Sequence, residues 1–247
     1  MMNWKNPGSI IEESIRTEKL KKFFRHYGSG ECLLDLGCGP RPYYSIYKSH
    51  FEKTIGADLA DSPFPKKQID IYCKATEVPL PDESIDVILC TEVLHDLAEP
   101  DEFFNEVKRL LKPDGYLVMT SPFVVPIVDG EYDHYRYTKF GLKYRIEKSG
   151  LEVESIEEVG DLFASTITLS VKPFLKFFNN VAKLLRFKAF YSSYNPLIFL
   201  TVVLPQLFYL FLSKIPLIKS IFKRFRYGSI GYVSIAKLAR KNANASS

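Results

Sequence analysis

The chain has 247 residues, of which 46% are hydrophobic and 25% are charged, and its formal net charge is +4. This length and apolar content exclude a wholly disordered chain and suffice for one enlarged domain with a substantial core. The four cysteines form no Cys-x-x-Cys pair, which is typical of a reduced cytoplasmic protein. No metal is expected, and the first twenty residues carry no continuous apolar stretch that would indicate a secretory signal.

Charge is distributed very unevenly along the chain. All 29 acidic residues precede position 162, whereas residues 162–247 contain thirteen Lys and Arg residues and no acid. This asymmetry favours an anionic partner for the C-terminal part. Because the basic residues alternate with a dense apolar background, an anionic membrane surface fits better than nucleic acid.

The predicted elements begin with a helix over Ser9–Tyr27, which we assign to an N-terminal helix or lid within residues 1–30. Strands are then predicted near 31–36, 54–58, 69–73, 85–91 and 115–121, and helices near 42–50, 101–111 and 138–149. The alternation of strands and helices predicts an α/β fold, with a parallel sheet covered by helices on both faces.

A glycine turn follows the first predicted strand, where the apolar run Leu33–Pro40 contains Asp35 and then Gly37-Cys38-Gly39. Glycine permits positive φ and the close approach of a ligand, so the turn indicates a nucleotide site. Pro40, Arg41 and Pro42 follow Gly39, so the third glycine of the dinucleotide fingerprint Gly-x-Gly-x-x-Gly is missing. Asp58, followed by Leu59, ends the next apolar run, where a parallel strand would place its carboxylate against ribose hydroxyls.

These residues resemble the class I S-adenosylmethionine-dependent methyltransferases, close to the branch of quinone-biosynthesis-type enzymes. Segments 75–88, 91–97 and 109–117 resemble further motifs of that branch, and the match covers about residues 31–160. The resemblance implies a Rossmann-like seven-stranded sheet and S-adenosylmethionine as cofactor. It implies cofactor contacts from Asp35, Gly37, Cys38, Gly39, Asp58, Leu59, Ala75, Thr76, Thr91 and Glu92. Lys74 stands where the family commonly has an acid facing adenine, so Ala75 or Thr76 is expected to make that contact.

The sheet is expected to end with a sixth strand over Leu151–Val159 and a seventh over Ile230–Leu238. Class I methyltransferases end with this pair, the seventh strand running antiparallel between the fifth and sixth. We therefore divide the rest of the chain into a core at 31–160, an apolar and basic helical insertion at 161–228, a final core strand at 229–241 and a disordered tail at 242–247. The insertion is expected to emerge beside the active site.

The predicted insertion contains no charged residue between Lys188 and Lys214, and residues 196–212 are almost continuously apolar. A single membrane span would carry the seventh strand to the opposite side from its sheet. The sequence therefore favours helices lying in the membrane interface, or a re-entrant hairpin. The alternative is a soluble cap that buries its apolar faces internally.

Methyl transfer to an alcohol needs a base that takes the hydroxyl proton, and the candidates are His95, Asp133 and His134. The segment Gly130–Leu142 resembles an Asp-Tyr-Tyr-Arg-Phe-Thr motif of methyltransferases found with bacterial surface-polysaccharide enzymes, which implies a sugar or sugar-lipid acceptor. Both histidines also have a structural interpretation, because His134 could staple its loop and His95 could simply line the cofactor pocket.

The leading hypothesis is O-methylation of a glycan or lipid-linked glycan at the cytoplasmic face of the membrane. An open polar groove at Asp133, His134 and Tyr135 would favour it, whereas a long apolar tunnel beside His95 would favour an isoprenoid quinone or another hydrophobic small molecule. A third hypothesis, from a different class, is a non-catalytic membrane-binding module. A nucleic-acid substrate is disfavoured because the sequence has no Asn-Pro-Pro-Tyr-like motif.

Overall fold

A computed structural model describes residues 9–26, 29–61, 68–127, 130–184, 199–223 and 228–238. Contacts divide the chain into two units. The helical unit comprises Met1–Glu18, Phe123–Val128 and Glu158–Gly231, and the sheet unit comprises Lys19–Pro122, Asp129–Glu157 and Tyr232–Ser247. The predicted tail at 242–247 lies outside the described residues, as do parts of the predicted lid and of the apolar run.

Seven strands form one sheet in the order β3-β2-β1-β4-β5-β7-β6. They are β1 (Gly30–Leu36), β2 (Phe51–Asp58), β3 (Ile71–Tyr72), β4 (Ile85–Thr91), β5 (Leu111–Pro122), β6 (Leu151–Val159) and β7 (Gly231–Leu238). The pairs β3–β2, β2–β1, β1–β4 and β4–β5 are parallel. This arrangement confirms the predicted Rossmann-like α/β fold, including the position of the last strand between the fifth and the sixth.

The direction of β7 follows from the backbone around Ile230, the residue before it. The Phe123 N–H donates to the Ile230 carbonyl at 2.8 Å, and the Ile230 N–H donates to the Val159 carbonyl at 3.0 Å. The start of β7 therefore lies beside the ends of β5 and β6, so β7 runs opposite to both of its neighbours.

Burial explains why the central strands form. Leu33, Leu34 and Leu36 of β1 and Val87–Cys90 of β4 are buried almost completely, as expected for strands covered on both faces. The helices of the sheet unit are α2 (Tyr44–Tyr47), α3 (Pro100–Leu110), α4 (Lys139–Lys148) and the second half of α1 (Ile10–His26). In that half of α1, the Phe24 ring lies 5.9 Å from the Tyr47 ring and 6.3 Å from the Phe51 ring.

Three predicted elements have a boundary that is wrong by three residues or more. β2 begins at Phe51 rather than near 54, because Phe51 pairs with Gly30 of β1. β5 begins at Leu111 rather than near 115, because Leu111 already pairs with Ile85; residues 112–115 form an irregularity, and pairing resumes between Tyr116 and Val87. The helix predicted near 42–50 is shortened to Tyr44–Tyr47, because the backbone first passes through turns from Arg41, whose φ is +50°.

Helices fill the described part of the chain between β6 and β7. They are α5 (Leu162–Leu184), a π-helical turn (Phe199–Val203), α6 (Leu204–Leu212) and α7 (Pro216–Lys223). Their core contains Ile11, Ala164, Tyr209 and Ile230. Within the described ranges no single helix has the length and apolarity needed to cross a membrane; Leu200–Leu212 and Pro216–Phe222, bent by 93°, meet that test only when joined.

Candidate cofactor and acceptor site

The glycine turn at the end of β1 has a backbone that other residues would strain. Gly37 and Gly39 have φ of +69° and +49°, and a Cβ on Gly37 would lie 2.2 Å from Cγ2 of Val93. The N–H groups of Gly37 and Cys38 both donate to the Ala57 carbonyl, at 2.8 and 3.0 Å. The turn is thus held against the end of β2, with no side chain on either glycine to obstruct a ligand.

Asp58, at the end of β2, is tied to this turn. Its Oδ2 accepts the Gly39 N–H at 2.6 Å and its Oδ1 accepts the Leu59 N–H at 2.7 Å. A carboxylate has about four acceptor positions, so each oxygen keeps capacity for a further hydrogen bond. The half-buried carboxylate fits the diol of a ribose, and Asp58 is the residue of this sheet edge best placed to hold the adenosyl part of the cofactor.

Asp35 has different surroundings. It is only 2% exposed, and its Oδ2 accepts a hydrogen bond from the Tyr47 hydroxyl at 2.5 Å. Burial raises the pKa of Asp35 to about 7, although the Tyr47 hydrogen bond and the Arg41 charge act in the opposite direction. Asp35 thus connects β1 to α2, and its direct contact with the cofactor stays a prediction.

Arg41 stands where the methyltransferases that the chain resembles commonly have a third glycine in this turn, and its φ of +50° is the left-handed backbone that favours glycine. Its Nε donates to the Tyr47 hydroxyl at 3.0 Å, and its Nη1 donates to Oδ2 of Asp70 at 3.0 Å. The same Asp70 oxygen accepts the Gly56 N–H at 2.7 Å. The sequence does not predict this network, because no motif spacing relates the residues of a turn, a helix, a strand and a loop that are up to 29 positions apart.

Cys38 is buried within the turn. Burial raises the pKa of its thiol to about 12, and the charges of Asp35 and Asp58 act in the same direction. The thiol therefore stays protonated near neutral pH, and Cys38 serves as a small side chain in the turn rather than as a nucleophile.

The remaining predicted cofactor residues lie at the ends of neighbouring elements. Ala75 and Thr76 are half-buried in a tight turn closed by the Lys74–Glu77 bridge. Thr91 is the last residue of β4, and Glu92 follows it with φ of +57°. The Glu92 carboxylate accepts the Thr120 hydroxyl at 2.7 Å. Since β2, β1 and β4 are parallel neighbours, their ends bring the residues at 58, 37 and 91 to one edge of the sheet.

His95 lies in the loop after β4, in the same turn as Val93. The Asp96 N–H donates to the Val93 carbonyl at 2.9 Å, and Nε2 of His95 is 3.2 Å from Oδ1 of Asp96. The imidazole is buried, with 3% exposure. Because Val93 contacts Gly37, the loop that carries His95 packs directly against the glycine turn.

The loop before α4 docks on His95 through the backbone. The N–H groups of His134 and Tyr135 donate to the His95 carbonyl, at 2.9 and 3.0 Å. The structure therefore brings together the two predicted histidines, with the His134 side chain exposed and the His95 side chain buried.

Side chains brace this loop as well. The Asp133 carboxylate is buried and accepts two hydrogen bonds from the Arg136 guanidinium. Thr138 caps α4 by accepting the Gly141 N–H at 3.0 Å. Oxygen or nitrogen atoms of His95, Asp96 and Asp133 lie within 4.8 Å of one another. A cation placed there would compete with Arg136 for Asp133, and the same ion pair makes Asp133 a poorer base than His95.

Comparison with known proteins agrees with this geometry. A family model described as a methyltransferase domain matches residues 34–119. The chain is 25% identical over 198 residues to the 27-O-demethylrifamycin SV methyltransferase of Amycolatopsis mediterranei, covering 69% of this chain and 72% of that protein. It is 25% identical over 155 residues to the ubiquinone biosynthesis O-methyltransferase of Coxiella burnetii, covering 58% and 64%. Other curated relatives are matched over less than half of their own length.

A solved structure shares the fold. The geranyl diphosphate C-methyltransferase from Streptomyces coelicolor A3(2), which holds S-adenosyl-L-homocysteine, has a TM-score of 0.55 and 16% identity, covering 92% of this chain and 76% of that one. The glycine turn and Asp58 provide the cradle and the acceptors that such a cofactor needs. The resemblance inferred from the motifs is therefore confirmed: the chain carries a methyltransferase domain of the class I S-adenosylmethionine-dependent type, and S-adenosylmethionine is its cofactor.

Proposed function

We propose that the chain O-methylates a hydroxyl of a glycan or lipid-linked glycan at the cytoplasmic face of the membrane. The observation that carries the proposal is the pairing of the buried His95 with the half-buried Asp96, in a loop that packs through Val93 against the glycine turn. A histidine paired with a carboxylate is suited to take a proton from a hydroxyl near neutral pH.

These contacts assign a separate role in the reaction to each residue. His95 accepts the hydroxyl proton as the acceptor oxygen bonds to the methyl group, and Asp96 stabilises the resulting imidazolium. Bound S-adenosylmethionine would supply the methyl group as an electrophile, with its methyl carbon–sulfur bond breaking to leave S-adenosylhomocysteine. Asp58 and the glycine turn hold the cofactor, so the protein's main contribution besides the base is alignment of the acceptor.

The preference for a glycan rests on the loop that docks on His95. Tyr132, His134 and Tyr135 are exposed there, while Asp133 and Arg136 fix the backbone beneath them. Exposed rings with polar tips can cover an apolar sugar face and also hydrogen-bond its hydroxyls. This polar aromatic surface is consistent with the sugar-acceptor motif that segment 130–142 resembles.

A second candidate acceptor is a lipophilic hydroxyl compound such as an isoprenoid quinone precursor. It is favoured by the relatives named 27-O-demethylrifamycin SV methyltransferase and ubiquinone biosynthesis O-methyltransferase. Both candidates present a hydroxyl to His95 and differ only in what surrounds it.

Transfer of a radiolabelled methyl group to a bacterial lipid extract tests both acceptors. Label that becomes water-soluble after mild acid cleavage of lipid-linked sugars supports the glycan, and label that stays in the organic phase supports the lipophilic compound. Absence of transfer to any hydroxyl compound in the extract would overturn the proposal.

The role of His95 has a matched control in His134. We expect His95→Gln to lower kcat by about 10²- to 10⁴-fold, the usual contribution of a general base, without changing the affinity for S-adenosylmethionine. His134→Gln should leave most of kcat intact, because its side chain is exposed and only its backbone touches His95. Equal kcat in the wild type and His95→Gln would contradict the assignment.

A further inference from the structure

The helical unit exposes apolar side chains along one side of α6 and the turn before it. Leu200, Leu204, Phe208 and Phe211 follow one another at intervals of three or four residues and therefore share a helix face. Phe208 and Phe211 are 59% and 63% exposed. We call these four residues the apolar face.

The opposite side of α6 is buried, and it is the more polar side. The Gln206 side chain accepts the Ile11 N–H at 3.3 Å and donates to the Val202 carbonyl at 2.9 Å. The Tyr209 hydroxyl donates to Oδ2 of Asp161 at 3.0 Å. A helix on the surface of a globular protein normally has the reverse arrangement, with its apolar side inward.

These buried hydrogen bonds fix the rotation of α6 about its axis. Turning the helix to hide Phe208 and Phe211 would expose Val202 and Val203 and break the bonds of Gln206 and Tyr209. Buried polar groups without partners are costly, so the exposed orientation is the stable one. The outward orientation of the apolar face is therefore fixed by the fold. Such a surface is unfavourable in water and becomes favourable when an apolar phase covers it.

Charge identifies what can cover it. Residues 162–247 contain thirteen Lys and Arg residues and no acid, and Lys214 is exposed two residues beyond α6. A second copy docked symmetrically on this face would bring two strongly basic segments together, which is unfavourable. Anionic phospholipid offers both an apolar phase and negative phosphates.

We propose that the apolar face lies in the interface of an anionic lipid bilayer. The leucine and phenylalanine side chains lie below the headgroups, and the basic residues of the segment pair with lipid phosphates. Exposed Leu217 and Ile221 on α7, four residues apart, extend the apolar surface beyond the bend. The proposal does not depend on which acceptor is methylated.

Vesicle flotation of the full chain tests the proposal. The wild type should float with vesicles of phosphatidylcholine and phosphatidylglycerol, and much less with phosphatidylcholine alone. Phe208→Glu combined with Phe211→Glu should weaken flotation by about tenfold or more, because two apolar anchors are lost and two negative charges are gained. The matched control is Phe140→Glu combined with Tyr144→Glu on α4, whose side chains are 72% and 67% exposed; it should float like the wild type.

Several results would overturn the proposal: no flotation of the wild type with either vesicle, wild-type flotation of the Phe208/Phe211 variant, or an equal loss in the control. Light scattering tests whether the apolar face mediates self-association instead. If the wild type is a dimer, and the Phe208/Phe211 variant is a monomer that floats like the wild type, the face is a dimer interface. If the double variant fails to unfold cooperatively, Leu217→Glu, at a side chain 74% exposed, replaces it with the same expected direction.

Discussion

Asp35 and Asp58 occupy similar places in the sequence, near the ends of neighbouring parallel strands, but their surroundings give them different chemistry. Asp58 is half-buried and bonded to backbone N–H groups, so it remains an acceptor at the sheet edge. Asp35 is enclosed with Tyr47 and Arg41. Two residues of the same type therefore lead to two different experiments.

Asp58→Ala should weaken S-adenosylmethionine binding by about 1.5–3 kcal/mol, the usual cost of losing hydrogen bonds to a charged group. Asp58→Asn is the matched control, because its amide oxygen can still accept the Gly39 N–H and preserve the turn; its loss should be smaller. Titration calorimetry gives both affinities. An unchanged dissociation constant in Asp58→Ala would reject the ribose contact.

Asp35→Asn should change how stability depends on pH. The pKa of Asp35 is about 7 in the folded protein against an ordinary value of 3.8, because burial disfavours the charged form. Between these two values the folded chain keeps a proton that the unfolded chain has released. The contribution of protonated Asp35 to the free energy of unfolding is therefore full below about pH 4 and is lost as pH rises through about 7. The variant has no such proton to lose.

Between about pH 4 and about pH 8, the variant should gain up to about 4 kcal/mol of unfolding free energy relative to the wild type, as an upper limit. Urea unfolding at several pH values measures the difference. A constant difference across that range would mean that the Arg41 charge and the Tyr47 hydrogen bond keep Asp35 ionised in the folded protein.

At the scale of elements, the strands were predictable wherever an apolar run was bounded by turn residues. The bounds of β4 and β6 agree with the sequence prediction to the residue. The start of β5 was predicted wrongly because Pro113 and Gly115 resemble a turn that precedes a strand, whereas Leu111 before them and Tyr116 after them both pair with β4. The periodicity of apolar residues indicates which positions are buried, but it does not indicate where a neighbouring strand pairs with residues on both sides of an irregular stretch.

The side-chain networks between elements were harder to predict. The sequence marks Arg41 only as a replaced glycine, whereas in the structure its guanidinium donates hydrogen bonds to Tyr47 and Asp70. In contrast, the cap that Thr138 forms on α4 is a local interaction, because it joins residues only three positions apart in the chain. Local interactions can be predicted from local sequence, whereas long-range pairs need the fold.

Arg136 is a positioning residue in the loop that carries His134. Arg136→Lys should lose the two-point contact with Asp133, since an ammonium cannot reproduce the planar guanidinium fork. We expect the amide protons of His134 and Tyr135, which the His95 carbonyl accepts, to exchange with solvent about tenfold faster. Hydrogen exchange with mass spectrometry measures this, and affinity for S-adenosylmethionine should not change.

Arg25→Lys is the control for Arg136→Lys, because Arg25 is exposed in the last turn of α1. Unchanged exchange at His134 and Tyr135 in Arg136→Lys would mean that the backbone bonds alone hold the loop.

On the scale of the whole molecule, the sheet order could be predicted because the family resemblance fixes the topology once its motifs are placed. The division into units could not, because it depends on contacts between distant segments: Met1–Glu18 and Phe123–Val128 group with the helices that follow β6. The linear boundaries at 160 and 228 stay a prediction. The residues predicted to hold the cofactor lie in the sheet unit, and the apolar face lies in the helical unit.

The position of β7 governs the order in which the protein can be assembled during synthesis. This strand fits between β5 and β6 but leaves the ribosome after both of them, and after α5, α6 and α7. Until β7 has been synthesised and has paired, β5 and β6 each present an unpaired edge, and the apolar helices that precede β7 have already been synthesised. A nascent chain of this enzyme is therefore most vulnerable to aggregation in the interval between the synthesis of β6 and the pairing of β7, when it has most need of a chaperone.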